Sequence, residues 1–155
     1  MTPDTGARRA FLFLQGPHGP FFAQLAAMLH AAGAECWRVG FNAGDRAFWG
    51  KPFYIAHTGK PEDWPDHLVQ LLQRHAITDL VLYGDTRPIH ALAVAEAQRR
   101  GITVHVFEEG YLRPWWVTYE RGGSNGHSRL MGLSVAEMRR ALAQVELDLI
   151  DAPAH

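Results

Sequence analysis

Short apolar runs alternate along this chain with segments whose apolar positions recur every three or four residues. The runs at 10–15, 36–41, 78–84 and 102–110 predict buried strands, and residues 52–56 predict a short additional strand. Helical spacing predicts helices over 20–33, 63–75 and 88–101. This alternation predicts a three-layer α/β domain with a parallel sheet, for which 3-2-1-4-5 is the preferred strand order.

The pattern changes after Gly110. Residues 111–129 mix aromatic, basic and glycine positions, and they predict a loop with one short strand near "WVTYE". Ser134 and Glu137 then form a capping box, and apolar residues at spacings of three and four predict a helix over 134–150. We therefore divide the chain into a domain at 1–133 and a C-terminal helix and tail at 134–155.

The composition restricts the class of protein and its partners. The 155 residues are 47% apolar and 20% charged, which is typical of one soluble globular domain. The net charge of −1 gives no reason to expect a nucleic acid partner. The single cysteine, Cys36, excludes a disulfide framework and lies in a strand-like run, where we expect a buried structural thiol. No run approaches the roughly 20 apolar residues of a membrane span.

Polar or glycine-rich segments follow four of the predicted strands. They are "QGPHGP" (15–20), "NAGDRAFW" (42–49), "GDTRPIH" (84–90) and "EEGYLRP" (108–114). In open parallel sheets, ligands bind beyond the carboxyl ends of the strands, beside the point where strand order reverses. The four segments therefore predict a site at that edge. Gly16 lies in a loop that could cradle an anion or simply connect a strand to a helix.

The segment at 84–90 carries several candidate side chains. Asp85 and Thr86 are either helix caps or members of the site. Arg87 suits a carboxylate or phosphate on a ligand. His90 lies in the first turn of the predicted helix, where it either points back toward the edge or is structural. No histidine or cysteine spacing indicates zinc, so no metal ligand is predicted.

The adjacent carboxylates of Glu108 and Glu109 are the most informative feature of the chain. Successive side chains of a strand point to opposite faces, so one glutamate can pair with Arg113 or cap a turn while the other enters the crevice. Different environments are how enzymes divide nucleophile and acid or base roles between two carboxylates. The alternative is a loop with two solvated glutamates. The segments together predict one crevice in which four residues converge: Gly16, Asp85, His90 and Glu109.

Five motifs occur in an order and spacing that resemble a known family. They are "FLQGP", "GFNAGD", "YGDTRPIH", "FEEGYLRPWWVTYE" and "GGSNGHS". Their combination resembles the capsule polysaccharide biosynthesis proteins of the KpsS/LipB type over residues 11–130. The glycine-rich motif also matches the nucleophile pattern G-x-S-x-G at 122–126, but no apolar helix follows it, which disfavours a serine hydrolase.

The resemblance implies a retaining β-Kdo transferase that uses CMP-Kdo as donor substrate and has no prosthetic group. It implies a phosphatidylglycerol-type glycolipid acceptor, a cytoplasmic location peripheral to the inner membrane of a Gram-negative bacterium, and contact with other capsule assembly proteins. The implied fold is a Rossmann-like domain, the acceptor-side, N-terminal half of a GT-B-like glycosyltransferase. Residues 134–155 would then belong to the connection with a second domain. We expect activity from the full-length enzyme and none from this chain alone.

The resemblance also implies roles for individual residues. The implied catalytic residues are Glu109 first, Glu108 second, and His90. The implied substrate-binding residues are Gly16, Asp85, Arg87, Arg113, Asn125 and Ser128. The alternative is a non-catalytic module of the same fold that binds a glycan or lipid through the surface of Trp115 and Trp116.

Overall fold

A single six-stranded sheet organises the chain. The computed structural model describes residues 8–50, 52–111 and 115–145. The strands are β1 (Ala10–Phe13), β2 (Glu35–Gly40), β3 (Tyr54–Ala56), β4 (Asp79–Tyr83), β5 (Thr103–Glu109) and β6 (Val117–Arg121). The helices are α1 (Phe21–Ala31), α2 (Ala43–Trp49), α3 (Trp64–Arg74), α4 (Pro88–Arg99) and α5 (Val135–Leu142). One-turn 3₁₀ helices lie at Pro61–Asp63, Asn125–His127 and Arg129–Gly132.

The strand order is β3-β2-β1-β4-β5-β6, so the predicted order of the first five strands is confirmed. These five are parallel, and β6 adds an antiparallel strand at the edge beside β5. The short strand predicted near "WVTYE" is this β6. The chain is therefore an α/β domain of the Rossmann-like type, as predicted.

Two apolar clusters cover the two faces of the sheet. Helices α3 and α4 pack on one face around Leu68, Leu80 and Ala93, and α1 and α2 pack on the other around Phe13 and Trp49. Alternate residues of each strand enter the two clusters, which explains why the strands read as continuous apolar runs. Cys36 is buried in the second cluster, and burial raises the pKa of its thiol to about 11.

Residues 43–49 form helix α2, although the sequence showed 42–49 only as a polar or glycine-rich segment and predicted no helix there. The side chain of Asn42 accepts a hydrogen bond from the backbone N–H of Asp45, and Gly50 ends the helix in the left-handed conformation. Seven residues are too few to show a clear helical period of apolar residues. In the sequence, the two capping residues are therefore the signals of this helix.

Helix α5 is shorter than predicted and buries no residue. The capping box of Ser134 and Glu137 is confirmed. The helix ends at Leu142, and predicted positions 146–150 lie outside the described residues. Val135 is 64% exposed and Leu142 is 58% exposed, so the apolar stripe faces solvent. The division at residue 133 stays a prediction.

Asp79 forms a buried polar cluster at the amino edge of the sheet. Its carboxylate accepts hydrogen bonds from Arg9, from the Thr78 hydroxyl at 2.7 Å and from Nε2 of His105 at 2.7 Å. Nδ1 of His105 in turn lies 2.8 Å from the hydroxyl of Tyr119. Burial alone would raise the pKa of Asp79, but its hydrogen bonds outweigh burial and hold the pKa well below its usual range. The cluster therefore ties together the segments of β1, β4, β5 and β6.

Asp79→Asn should lower the free energy of unfolding by about 3 kcal/mol, because it removes a buried charge whose donors stay in place. Urea unfolding at pH 7 measures the change. Glu62→Gln, at an exposed position, is the matched control and should leave stability unchanged. A loss below about 1 kcal/mol in Asp79→Asn would show that the cluster does not stabilise the sheet.

Candidate active site

A polar crevice of about 480 Å³ opens at the carboxyl edge of the sheet. Strand β1 pairs with β2 on one side and β4 on the other, so the order of strands reverses here. This is the position where the topology predicts a ligand. The residues that line the crevice are Gln15, Gly16, Pro17, His18, Arg38, Asn42, Gly44, Asp45, Phe48, Tyr83, Arg87 and Glu109.

A buried ion pair forms one wall of the crevice. Asp45 accepts hydrogen bonds from a guanidinium nitrogen of Arg38 at 3.0 Å, from the backbone N–H of Phe41 at 2.9 Å and from Gln15 at 3.2 Å. Burial lowers the pKa of Arg38, and the neighbouring Asp45 partly offsets that effect. Gln15 also accepts a hydrogen bond from Arg87 at 3.1 Å. The network joins the loops after β1, β2 and β4.

Sequence reasoning did not select Gln15, Arg38 or Asp45 as site residues. Arg38 could have indicated this part of the site, because a charged residue inside an otherwise apolar strand needs a buried partner. Asp45 lies within a motif that the family resemblance used, but its pairing with Arg38 crosses from a helix to a strand. Such a contact becomes visible only in the folded chain.

Glu108 and Glu109 point to opposite faces of β5, as the alternation of a strand predicts. Glu109 is exposed and lines the crevice. Glu108 is half-buried on the other face, where it accepts a hydrogen bond from the hydroxyl of Ser124 at 3.3 Å. The two carboxylates therefore have different surroundings, which is the arrangement that chemistry with two distinct roles requires.

The predicted convergence of four residues is wrong for His90, which is fully buried and does not line the crevice. Its Nδ1–H donates to the carbonyl of Gly84 at 2.6 Å, and its Nε2 has no hydrogen-bond partner among the described residues. Burial lowers the pKa of His90 to about 4, with the Gly84 carbonyl acting in the opposite direction. The imidazole is therefore neutral at pH 7.

The prediction is also wrong for Asp85, which is buried and lies outside the crevice. Its Oδ2 accepts from the backbone N–H of Ser124 at 2.9 Å and lies 3.1 Å from Nδ1 of His127. It does not cap α4, because the N-cap residue of that helix is Arg87. The loop at 122–128 folds back over the end of β4, and its residues Ser124 and His127 contact this carboxylate. No local sequence pattern indicated these contacts.

Asn125 and Ser128 lie on a second, more open groove rather than in the crevice. Ser128 donates to a carboxylate oxygen of Glu120 at 2.6 Å. Tyr111 and Leu130 supply part of the apolar lining of the same groove. Gly16 and Arg87 do line the crevice with Glu109, whereas Arg113 lies outside the described residues.

The residues that the structure describes include no group of three or more His, Cys, Asp or Glu placed to hold a metal ion. Within the same residues, no helix has the length and apolarity needed to cross a bilayer.

The fold and crevice define a Rossmann-like domain with a polar crevice at the switch point of its sheet. Residues 78–132 match a family described as "Capsule polysaccharide biosynthesis protein". The match confirms the resemblance for the three motifs that lie within it, and the matched residues contain β4, β5, β6 and the loop at 122–128.

Two curated relatives extend the similarity over most of the chain. The chain is 39% identical to the capsule polysaccharide export protein KpsS of Escherichia coli over 122 residues, which is 79% of this chain and 31% of that protein. It is 41% identical to the capsule polysaccharide modification protein LipB of Neisseria meningitidis serogroup A over 123 residues, 77% of this chain and 29% of LipB. The chain thus spans about a third of the length of these relatives.

Stability should depend on pH through His90. The folded pKa of about 4 lies below the ordinary value of 6.5, so the unfolded chain binds the proton first as the pH falls. Protonation of His90 has little effect on the free energy of unfolding above pH 6.5. At pH 4 it lowers that free energy by about 3 kcal/mol. In His90→Asn, the side-chain amide can still donate to Gly84 but does not titrate.

Denaturant unfolding of both proteins at pH 7 and pH 4 isolates this effect. The stability advantage of the natural chain over His90→Asn should shrink by about 3 kcal/mol between the two pH values. An advantage that stays constant would show that His90 accepts its proton equally well in the folded and unfolded states.

Proposed function

We propose that this chain is the acceptor-side domain of a retaining Kdo transferase in capsule polysaccharide assembly. The similarity to KpsS and LipB supports the process, and the switch-point crevice of a Rossmann-like domain supports a transferase of the GT-B type. The proposed donor is CMP-Kdo and the proposed acceptor is a glycolipid of the phosphatidylglycerol type. The proposed location is the cytoplasmic side of the inner membrane, in contact with other capsule assembly proteins.

The observation that carries this proposal is the position of Glu109. Its carboxylate is exposed in a crevice that also contains Arg87 and the ion pair of Arg38 and Asp45. An exposed carboxylate that lines the same crevice as guanidinium groups can attack an electrophilic carbon, and the guanidinium groups can hold the carboxylate or phosphate of a sugar nucleotide. Glu108 cannot take the same position, because it bonds to Ser124 on the other face.

The proposed reaction has two displacements. Glu109 attacks the anomeric carbon of Kdo, the bond from that carbon to the phosphate of CMP breaks, and CMP leaves with the electron pair. The oxygen of an acceptor hydroxyl then forms a bond to the same carbon, its proton passes to water, and the ester bond breaks with the electron pair returning to the glutamate carboxylate. Two inversions give net retention. Because His90 is fully buried, we propose that it positions the Gly84 turn rather than touching the substrate.

A specific observation also favours a second candidate function, a non-catalytic module that binds a glycan or lipid. Tyr111 is 87% exposed, Trp115 is 55% exposed and Trp116 is 40% exposed. Exposed aromatic rings form binding surfaces for sugars and lipid headgroups. In this alternative, the carboxylates would only support the fold.

A hybrid enzyme tests the catalytic proposal. Residues of this chain replace the 122 aligned residues of the E. coli relative, and transfer from CMP-Kdo to a lipid acceptor is measured. The unsubstituted hybrid should be active. Glu109→Gln should lower the rate roughly 1,000-fold or more while leaving the fold intact, because an amide is a far poorer nucleophile than a carboxylate.

Glu62→Gln is the matched control in the hybrid, since Glu62 is exposed outside the crevice. It should retain full activity. Equal activity in Glu109→Gln and Glu62→Gln would remove Glu109 from the mechanism. If Trp115→Ala and Trp116→Ala abolished binding of the lipid acceptor while transfer never appeared in any hybrid, the binding-module alternative would be favoured.

The 155-residue chain alone should fold and show no measurable Kdo transfer. Holding donor and acceptor together supplies about 7–11 kcal/mol of barrier reduction, and a chain one third as long as its relatives lacks most of that enclosure. The measurement is an assay of the purified chain with CMP-Kdo and the lipid acceptor. Turnover equal to that of the hybrid would place the whole active site within these residues.

A further inference from the structure

Gln15 forms an uncharged link between two charged side chains that line the crevice. Its side-chain Nε2 donates to Oδ2 of Asp45 at 3.2 Å, and its Oε1 accepts from Nη1 of Arg87 at 3.1 Å. Its backbone carbonyl accepts from the N–H of Tyr83 at 3.2 Å, which anchors the residue beside the end of β4. The amide therefore connects helix α2, which carries Asp45, with the loop after β4.

The buried ion pair determines which way this amide points. Asp45 is buried, and its carboxylate also accepts from Arg38 and from the backbone N–H of Phe41. A carboxylate only accepts hydrogen bonds, so the NH₂ group of Gln15 must face Asp45 and its oxygen must face Arg87. The side chain at position 15 thus has to donate to one partner and accept from the other. An amide does both without carrying a charge.

This arrangement holds Arg87 without neutralising it. Arg38 and Asp45 neutralise each other, whereas the structure records no ion pair between Arg87 and a carboxylate of the described residues. Arg87 is exposed and lines the crevice. A guanidinium has five N–H donors, and the contact with Gln15 occupies one of them. The remaining donors can bind a phosphate or a carboxylate in a bidentate way.

The position of Arg87 on helix α4 also favours an anion. Arg87 is the N-cap residue of this helix, its side chain makes no capping hydrogen bond, and the first turn contains no acidic residue. A cation at a helix N-terminus is unfavourable, because the helix dipole places partial positive charge there, and a bound anion would relieve this repulsion. Glu109 lines the same crevice and opposes an entering anion. An anionic group therefore needs a cation that is not already neutralised.

We propose that Gln15 is the positioning residue of the crevice: it holds the guanidinium of Arg87 so that Arg87 binds an anionic group of the ligand. The chemistry of that group is a phosphate or a carboxylate. Three sources fit the proposed reaction, namely the phosphate of CMP, the carboxylate of Kdo and the phosphate of the glycolipid acceptor. The inference rests on the proposed transferase function for these sources, and it adds a positioning residue to the site.

Binding to the 155-residue chain tests the proposal without any transfer reaction. CMP, free Kdo and glycerophosphoglycerol, the headgroup of a phosphatidylglycerol-type lipid, are titrated separately, and ¹H–¹⁵N NMR spectra give each dissociation constant. Arg87→Gln should weaken binding of at least one probe about 10-fold, because it removes a charged hydrogen-bond donor. The probe that is weakened identifies the source of the anion. Binding of no probe, or binding that Arg87→Gln leaves unchanged for all three, would overturn the proposal.

Two substitutions of Gln15 separate positioning from a general effect on the fold. Gln15→Glu should weaken binding of the same probe about 10-fold, because the new carboxylate neutralises the guanidinium of Arg87. Gln15→Met has a similar size but makes neither hydrogen bond, and it should weaken binding about threefold. In the Arg87→Gln background, both substitutions should have no further effect, since Gln15 acts through Arg87. An effect that persists in that background would show that Gln15 is only structural.

Gln73→Glu and Gln73→Met are the matched controls. Gln73 is an exposed glutamine of helix α3 and lies outside the crevice. Both control variants should bind the probe as the natural chain does. A loss of binding in the controls equal to that in the Gln15 variants would count against a specific role for Gln15.

Kinetics of the hybrid enzyme distinguish this inference from the proposed function. Gln15→Met should raise KM for the substrate that carries the anion and leave kcat within about twofold, because the contact is lost equally from the ground state and the transition state. Transfer that is lost in Glu109→Gln, with KM unchanged in both Gln15 variants, would overturn the role of Gln15 and leave the transferase proposal standing. Absence of transfer in every hybrid, with probe binding that still depends on Gln15 and Arg87, would overturn the proposed function and leave the anion site standing.

Discussion

The alternation of side chains at the end of β5 is the constraint on which the candidate site depends. Two ionised carboxylates side by side repel each other. Successive side chains of a strand point to opposite faces, so the extended backbone itself separates Glu108 from Glu109. One carboxylate enters the crevice, and the other joins Ser124 on the opposite face. A one-residue shift in the register of β5 would turn each of the two glutamates to the opposite face of the sheet.

The pairing of β5 with its neighbours makes such a shift costly. β5 is parallel to β4 over five residue pairs and antiparallel to β6 over another five. At its amino end, His105 bonds to Asp79 of β4, and this buried contact fixes the same register. Contacts at the amino edge therefore hold the strand in register, and its carboxyl end presents the two glutamates. Charges are buried at both edges, and the ion pair of Arg38 and Asp45 at the carboxyl edge lines the crevice.

The sequence contained enough information for the sheet but only part of the site. Apolar runs and helical spacing predicted the five parallel strands and their order, because burial on both faces of a sheet leaves a direct pattern. Gly16, Arg87 and Glu109 line one crevice, since the carboxyl ends of adjacent strands meet at the same edge of the sheet. The topology rule therefore determines which segments meet, and it says little about which side chains turn inward.

The residues that prediction misplaced are those whose partners lie far away in the chain. Asp85 was expected to cap α4 or enter the crevice, but it bonds to residues 39 and 42 positions away. His90 was expected to point at the edge, but the Gly84 carbonyl holds it inside. Both side chains contact the backbone or side chains of returning segments, and no local pattern encodes such contacts. The contact between His127 and Asp85 was not predicted for the same reason, because the two residues become neighbours only when the loop at 122–128 folds over β4.

The exposed apolar surface at the C-terminal end agrees with the proposal that this domain works as one part of a larger enzyme. Leu130, Met131, Val135 and Leu142 are all more than half exposed. An eight-residue helix is marginal in water without packing against another surface, however good its capping box. Contiguous exposed apolar residues of this kind typically mark an interface. If a second domain covers this surface, its packing would also restrain the loop at 122–128, which leads directly into the same segment.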